Sequence, residues 1–265
     1  MHPDLLTLQG EAAAPLMICV LGDFHLLKRS RPTPLTGARP RTLLAVLTLS
    51  PDASAPRDAL LEALWPDAEH ELAKRSLASL LYSLRRKLSD ALSGEPPVLR
   101  TEDSYRLNLE AGVRTDVHEF DRLVYAGDVA SRDRKEELAV RSYRAAVALY
   151  AGDVVTGSEI RAIVERERLR ARYLTLLARL ADHTYALGEY DASLEYVLRL
   201  LRSDACREDA HRLAMRCYLR RGERGQALRQ FRLCEQMLAA EFGAVPEDAT
   251  RRLFDQVRLS PETVE

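Results

Sequence analysis

The sequence predicts a mainly α-helical protein whose first part also holds short β-strands and a hairpin. Two observations predict this fold. Apolar residues recur with the helical period along most of the chain, almost without interruption from Thr115 onward. Before that point, residues 98–109 alternate between apolar and polar side chains around a polar turn, which is typical of a hairpin. The 265 residues suffice for two domains of about 100–150 residues each.

The first elements are short. Residues 1–15 are expected to form a flexible tail, because they lack the basic start and apolar stretch of a signal peptide. Two strands are expected next, over Leu16–Leu21 and Phe24–Leu27, with a further edge strand at Leu35. A helix is expected over Pro40–Leu49, because its leucines share one side and Pro51 would end it.

A helix–turn–helix pattern follows. The first helix is expected over Pro56–Trp65, since proline suits the first position of a helix and Pro66 would end it. The second helix is expected over Leu72–Leu88. Its leucines at 77, 80, 81, 84 and 88 have the spacing of one helical face, which predicts that this face is buried.

The opposite face of this second helix is polar. Arg75, Ser79, Tyr82 and Arg86 are spaced i, i+4, i+7 and i+11, which places them within about 60° of arc. Two guanidinium groups, a hydroxyl and a phenol on one narrow stripe suit a helix that contacts base edges in the DNA major groove. A solvated charged face is the alternative for such a stripe taken alone.

A two-stranded hairpin is expected directly after the long helix. Its strands are Val98–Thr101 and Tyr105–Leu109, and Glu102, Asp103 and Ser104 form its tip. A helix pair followed by a hairpin, or wing, predicts a winged helix-turn-helix domain, which we place at residues 16–113.

Residues 114–265 are expected to form an all-α domain. Gly188 and Gly222 are 34 residues apart and stand in similar surroundings, which is the period of tetratricopeptide (TPR) repeats, so the domain is TPR-like. Gly127, Gly152 and Gly243, like these two, are expected at left-handed helix ends. The expected helices are Asp116–Ala126, Lys135–Tyr150, Glu159–Leu187, Tyr190–Leu201, Glu208–Arg220, Gly225–Phe242 and Glu247–Val257.

The charge of the chain limits where nucleic acid could bind. The net charge is −1, and the residues up to 114 contain 14 basic and 14 acidic side chains. The molecule as a whole is therefore not a basic nucleic-acid binder, and any DNA contact must come from a local patch. The segment Lys74–Lys87 is such a patch, since it holds five cationic side chains and no acidic one.

Enzyme and metal motifs are absent from the sequence. There is no P-loop and no nucleophile elbow, and the six histidines have no ligand spacing, so we expect no catalytic residues, no metal and no cofactor. The four cysteines form no C-x-x-C pair and are expected as reduced, packed thiols of a cytosolic protein. No apolar run approaches the roughly 18 residues of a membrane span, so no membrane association is expected.

These features together resemble the SARP-type bacterial transcriptional activators, in which an OmpR-type winged helix-turn-helix precedes a bacterial transcriptional activator (BTAD) domain. The resemblance runs from Met17 to Val257, and the order and spacing of its short motifs make it specific. The motifs are Leu21-Gly22-Asp23-Phe24, Arg41-Thr42-Leu43-Leu44-Ala45-Val46-Leu47, Ala59 to Asp67, Leu84-Arg85-Arg86-Lys87-Leu88, Leu99-Arg100-Thr101 with Tyr105-Arg106-Leu107, Asp116-Val117-His118-Glu119-Phe120, Arg220 to Leu228 and Glu241-Phe242-Gly243 before Pro246.

The resemblance implies a cytoplasmic, sequence-specific transcriptional activator that is not an enzyme. It would bind double-stranded promoter DNA as a dimer or side-by-side array on direct repeats, and it would recruit RNA polymerase. Arginine suits guanine, so Arg75 and Arg86 are the expected base contacts. The full set of expected DNA-binding residues is Lys74, Arg75, Ser79, Tyr82, Ser83, Arg85, Arg86, Lys87, Arg100 and Arg106.

The segment between the two helices is acidic. Asp67, Glu69 and Glu71 fall within an expected loop, and carboxylates repel phosphate, so this loop is not expected to bind DNA. In the family that the chain resembles, the corresponding loop contacts RNA polymerase, and we assign these residues that role; a merely solvated loop is the alternative. A different class of function also stays open here, namely a TPR-type interaction protein whose winged domain docks protein rather than DNA.

Overall fold

A computed structural model of the chain describes residues 14–153 and 160–264. These residues fall into two units, 1–170 and 171–265. All but the last two residues of the expected tail lie outside the described residues, as does the start of the expected helix at Glu159. The predicted domain boundary between residues 113 and 114 stays a prediction.

The first unit contains short strands and longer helices. Its strands are β1 (Leu16–Cys19), β2 (His25–Lys28), β3 (Arg31–Pro32), β4 (Ser54–Pro56), β5 (Val98–Arg100), β6 (Ser104–Leu107) and β7 (Val113–Thr115). Its helices are α1 (Ala38–Leu49), α2 (Arg57–Leu64), α3 (His70–Leu88), α4 (Asp116–Arg132), α5 (Glu136–Leu149) and the first part of α6 (Ile160–Ala186).

The first sheet has four strands in the order β3-β2-β1-β7. β1 and β2 are antiparallel, whereas β7 pairs with β1 in parallel, with Leu16 opposite Val113. The edge strand expected at Leu35 is wrong: the edge is formed by Arg31 and Pro32, and Leu35 is a buried loop residue. β7 was not expected from the sequence, since three residues carry too little pattern to reveal a strand.

The second sheet has the order β4-β6-β5, and it contains the predicted hairpin. β5 pairs with β6, with Val98 opposite Leu107. β4 adds a third strand that was not expected, with Ser54 opposite Arg106. Pro56 closes this strand and caps α2, so the helix starts one residue later than expected. The wing is thereby attached to the segment that leads into the helix pair.

The helix pair packs against α1 around leucine side chains. Leu43 and Leu47 of α1, Leu60 of α2, and Leu77 and Leu88 of α3 are all fully buried. α1 contacts α2, α3 and β6. Burial of one such side chain contributes about 1.5–3 kcal/mol, so these leucines fix the orientation of α3.

A buried carboxylate connects the first sheet with α4. Asp116 is the first residue of α4 and accepts hydrogen bonds from the N–H groups of Val20 (2.7 Å) and Leu21 (2.8 Å). Burial raises the pKa of Asp116 to about 6, while these N–H groups and the nearby His25 act in the opposite direction. The side chain of Thr115 caps the helix by accepting the N–H of His118, so the start of α4 is fixed in two ways.

Gly127 lies inside α4 and is not the helix end that the sequence suggested. A Cβ atom at this position would lie 2.4 Å from Cε1 of Tyr143 on α5. Tyr143 is buried, and its hydroxyl donates to Asp128 over 2.8 Å. The glycine therefore serves the close packing of α4 on α5, and α4 continues to Arg132.

The second unit continues α6 with α7 (Tyr190–Ser203), α8 (Glu208–Arg220), α9 (Arg224–Phe242) and α10 (Asp248–Leu259). These bounds agree with the predicted helices to within two residues at each end. The core of this unit includes Met215 and Phe231, and Phe231 stacks on Phe254 with ring centroids 4.1 Å apart.

The predicted 34-residue period is present in the backbone of the second unit. At the end of α6, the N–H groups of Gly188 and Glu189 donate to the carbonyls of Tyr185 and Thr184 over 2.9 Å each. At the end of α8, Gly222 and Glu223 make the same bonds to the residues 34 positions later, over 2.9 and 2.8 Å. Both glycines have positive φ, 78° and 77°, and Gly243 has 62°, as expected for left-handed helix ends. Gly152 does not have positive φ, so the same expectation is wrong there.

Candidate DNA-binding surface

The orientation of α3 follows from its buried side. Ala73, Leu77, Leu84 and Leu88 are buried, and they lie along one face of the helix. This confirms the face that the leucine spacing predicted at Leu77, Leu84 and Leu88, while Leu80 and Leu81 are only partly buried. The helix starts at His70, two residues earlier than expected, and Glu69 caps it without a side-chain hydrogen bond.

The predicted polar stripe lies on the opposite side and is open to solvent. Arg75, Ser79, Tyr82 and Arg86 are all exposed, and 68% of the Tyr82 surface is accessible. The Ser79 hydroxyl donates to the carbonyl of Arg75 over 3.1 Å, so it offers its lone pairs outward. Among the described residues, neither Arg75 nor Arg86 forms an ion pair. Both guanidinium groups are thus available to a ligand on this face.

The other predicted contacts of α3 lie at the two flanks of the stripe. Ser83, Arg85 and Lys87 are exposed. Lys74 is half-buried and forms an ion pair with Glu71, with 2.7 Å between Nζ and Oε1. This hydrogen bond from Lys74 lowers the pKa of Glu71, which keeps the carboxylate ionised. To contact DNA, Lys74 must therefore break its ion pair with Glu71 and pair with a phosphate instead.

The wing presents two further cations. Tyr105 and Leu107 of β6 are buried, and strand alternation therefore turns Arg106 outward. Arg106 lies 3.3 Å from Glu110 in an exposed ion pair. Arg100, at the end of β5, is exposed.

The tip of the wing is held to α2 by contacts that the sequence did not reveal. The N–H of Arg57 donates to the carbonyl of Asp103 over 2.9 Å, and its guanidinium lies 3.2 Å from the Asp103 carboxylate. Thr101 and Ser104 close the turn through their hydroxyls, 2.5 Å apart. Arg57 and Asp103 are 46 residues apart, so no local pattern could have paired them. Asp103, one of the two acidic residues at the tip, is therefore paired with an arginine.

The acidic segment between the helices is shorter than expected. Asp67 and Glu69 are exposed in the connection between α2 and α3. Glu71 is not a loop residue, because α3 begins before it and its carboxylate pairs with Lys74. A negative charge in the first turn of a helix complements the helix dipole, which explains the position of Glu71.

Trp65 caps the C-terminal end of α2, and the Arg39 guanidinium lies 5.3 Å from the centroid of the Trp65 ring.

In the described part of the chain, three cysteines and one histidine are buried titratable groups. Burial raises the pKa of Cys19, Cys217 and Cys234, so these thiols stay protonated. His211 accepts from Gln230 (2.7 Å) and donates to the carbonyl of Ala205 (2.9 Å), and burial lowers its pKa. Within residues 14–153 and 160–264 no group of three or more His, Cys, Asp or Glu side chains could hold a metal ion. No described helix combines the length and the apolar character needed to cross a membrane.

Comparison with known families matches both parts of the chain. Residues 32–105 match the family described as "Transcriptional regulatory protein, C terminal", and residues 115–258 match the "Bacterial transcriptional activator domain". The second match covers more than half of the chain. Both are families of transcription regulators and not of enzymes.

Individual proteins agree with this assignment. The chain is 26% identical over 259 residues to the transcriptional regulatory protein MoaR1 of Mycobacterium tuberculosis, covering 94% of this chain and 81% of that protein. It is 27% identical over 223 residues to the regulatory protein DnrI of Streptomyces peucetius, covering 81% of this chain and 82% of that protein.

A solved structure shows the same fold. It is Mycobacterium tuberculosis EmbR in complex with a low affinity phosphopeptide, with a TM-score of 0.73 and 22% identity. The alignment covers 92% of this chain and 65% of the EmbR chain. With an OmpR-type winged helix-turn-helix and a bacterial transcriptional activator domain in one chain, this protein belongs to the SARP-type family of DNA-binding transcriptional regulators.

Proposed function

We propose that α3 enters the major groove and that Arg75 and Arg86 contact base edges there. The observation that carries this proposal is the exposed stripe of α3, which lies opposite its buried leucines and holds two arginines that form no ion pair among the described residues. An arginine fork can donate two hydrogen bonds to O6 and N7 of a guanine, and each such pair contributes about 1–3 kcal/mol of discrimination.

The remaining cations would position the protein on the phosphates. Arg85 and Lys87 flank the stripe, and Arg100 and Arg106 add cations on the two paired strands of the wing. Contacts to phosphate fix register and orientation but carry no sequence information. Ser79, Tyr82 and Ser83 offer hydroxyl groups between the two arginines. Lys74 would contact a phosphate once its ion pair with Glu71 is broken.

A selection experiment tests this function. Duplexes selected from random sequence by the full chain are expected to contain guanines at fixed positions, and the chain should protect them in a footprint. The variants Arg75→Ala and Arg86→Ala should each weaken specific binding by roughly 1–3 kcal/mol. Arg141→Ala is the matched control, because Arg141 is an exposed arginine on α5 outside the proposed surface. Wild-type binding by both α3 variants would contradict the proposal.

We further propose that the protein activates transcription from the cytoplasm by recruiting RNA polymerase, and that copies bind side by side on direct repeats. The exposed carboxylates of Asp67 and Glu69 support a contact with a basic surface of polymerase, since they cannot favour phosphate. The double variant Asp67→Ala/Glu69→Ala should keep its affinity for DNA and lose activation in a purified promoter–polymerase system. Undiminished transcription at equal DNA occupancy would exclude this connection as the polymerase contact.

A further inference from the structure

The exposed face of α3 begins with an apolar side chain. Leu72 lies in the first turn of the helix, and 58% of its surface is accessible. The core contacts of α3 are made by other residues, among them Ala73 and Leu77, which are buried. Leu72 therefore lies outside the core of this domain, and most of its side chain is open to contact with a ligand of this face.

The position of Leu72 relative to Arg75 is fixed by helix geometry. Residues three apart are neighbours on a helix face, about 60° apart around the axis and about 4.5 Å apart along it. Farther along the same face, Ala78, Ser79 and Ser83 are small and exposed. Leu72 and Arg75 stand at the N-terminal end of this face, ahead of these small residues and of the large exposed side chain of Tyr82. In helix-turn-helix proteins this end of the second helix contacts base edges.

We infer that Leu72 is a specificity-determining residue that packs on the C5-methyl group of a thymine, one or two base steps from the guanine that Arg75 contacts. The inference rests on the proposed entry of α3 into the major groove. Thymine carries the methyl group that the major groove presents, so a branched apolar side chain at the groove has a specific partner there. Leu72 and Arg75 are about 4.5 Å apart along the helix, and successive base pairs are about 3.4 Å apart along DNA. The two contacted bases are therefore expected one or two steps apart.

The test removes single methyl groups from the DNA. In a duplex selected by the full chain, each thymine is replaced in turn by deoxyuridine, which keeps its base pair and lacks only the methyl group. We expect one position near a protected guanine at which the wild-type chain loses about fourfold in affinity, the factor that corresponds to one buried methyl-sized group. The Leu72→Ala variant should bind the thymine and deoxyuridine duplexes equally at that position.

A matched variant controls for general effects. Leu138 is a leucine of α5 that is 48% exposed, and Leu138→Ala should keep the full preference for thymine. Two results would overturn the inference and leave groove binding by α3 intact. One is equal wild-type affinity for thymine and deoxyuridine at every position, and the other is an undiminished preference for thymine in Leu72→Ala. Absence of any sequence-specific binding by the wild-type chain would overturn the proposed function, and the inference with it.

Discussion

The buried carboxylate of Asp116 makes the stability of the first unit depend on pH. Replacing Asp116 by Asn keeps an oxygen that can accept the N–H groups of Val20 and Leu21, and it removes the charge. Burial raises the pKa of the native carboxyl to about 6, against 3.8 for the group in an unfolded chain. Because the folded state prefers the protonated acid, this group stabilises the fold fully below about pH 3.8, and that contribution is lost as pH rises through about 6.

The magnitude follows from the difference between the two pKa values. About two pKa units correspond to about 3 kcal/mol over the whole range, of which about 2 kcal/mol falls between pH 4.5 and 7. The free energy of unfolding of the wild type, relative to Asp116→Asn, should therefore fall by about 2 kcal/mol as pH rises from 4.5 to 7. Other titrating groups change both proteins alike and cancel in this difference.

Urea unfolding monitored by tryptophan fluorescence measures this difference. Trp65 is the single tryptophan of the sequence and lies in the first unit, so its signal reports on the unit that contains Asp116. The charge of His25 lowers the pKa of this carboxyl, and the comparison is therefore repeated in a His25→Gln background. A difference between wild type and Asp116→Asn that stays constant from pH 4.5 to 7 in both backgrounds would refute the reasoning.

Three further predictions concern the core, the helix packing and the wing. Leu84→Ala should lower the free energy of unfolding by about 2–5 kcal/mol through the cavity it leaves, and an unchanged urea midpoint would show that this side of α3 is not the buried one. Gly127→Ala should cost about 1–3 kcal/mol, because the new Cβ would lie 2.4 Å from the Tyr143 ring, whereas a higher melting temperature would show that α4 tolerates the methyl group. Glu102→Ser should raise affinity for all DNA sequences, because it removes a negative charge near the phosphates. Asp103→Ser should raise affinity less, because it also removes the ion pair that holds the wing tip to Arg57. Equal or weaker binding by Glu102→Ser would show that the wing tip lies away from the DNA backbone.

Long periodic elements were predictable from the sequence, and the reason is physical. The spacing of the leucines in α3 identifies its buried face, because a helix returns to the same side every 3.6 residues. The same holds for the 34-residue spacing of Gly188 and Gly222, which repeats one backbone arrangement at two helix ends. The exposed side of α3 follows from this spacing alone, and its residues could therefore be named from the sequence.

The elements that were missed depend on partners far away in the chain. β4 and β7 have three residues each, and their pairing with β6 and β1 gives them strand structure that their own residues do not indicate. Gly127 resembles a helix end in the sequence, but a tyrosine on the next helix requires a residue without a side chain there. The start of α3 was placed too late because no capping side chain marks it, and this error assigned Glu71 to the loop.

The most direct test of DNA contact by α3 removes single acceptor atoms from the bases. In a selected duplex, each protected guanine is replaced by 7-deazaguanine, which lacks the N7 acceptor of the arginine pair. The wild-type chain should lose affinity at one position through Arg75 and at another through Arg86. Arg75→Ala should be insensitive to the first replacement and Arg86→Ala to the second, whereas Arg141→Ala should respond like the wild type. Base contact by this helix would be contradicted if the wild-type chain bound every substituted duplex as tightly as the parent duplex. It would also be contradicted if the two arginine variants lost affinity at the same positions as the wild type.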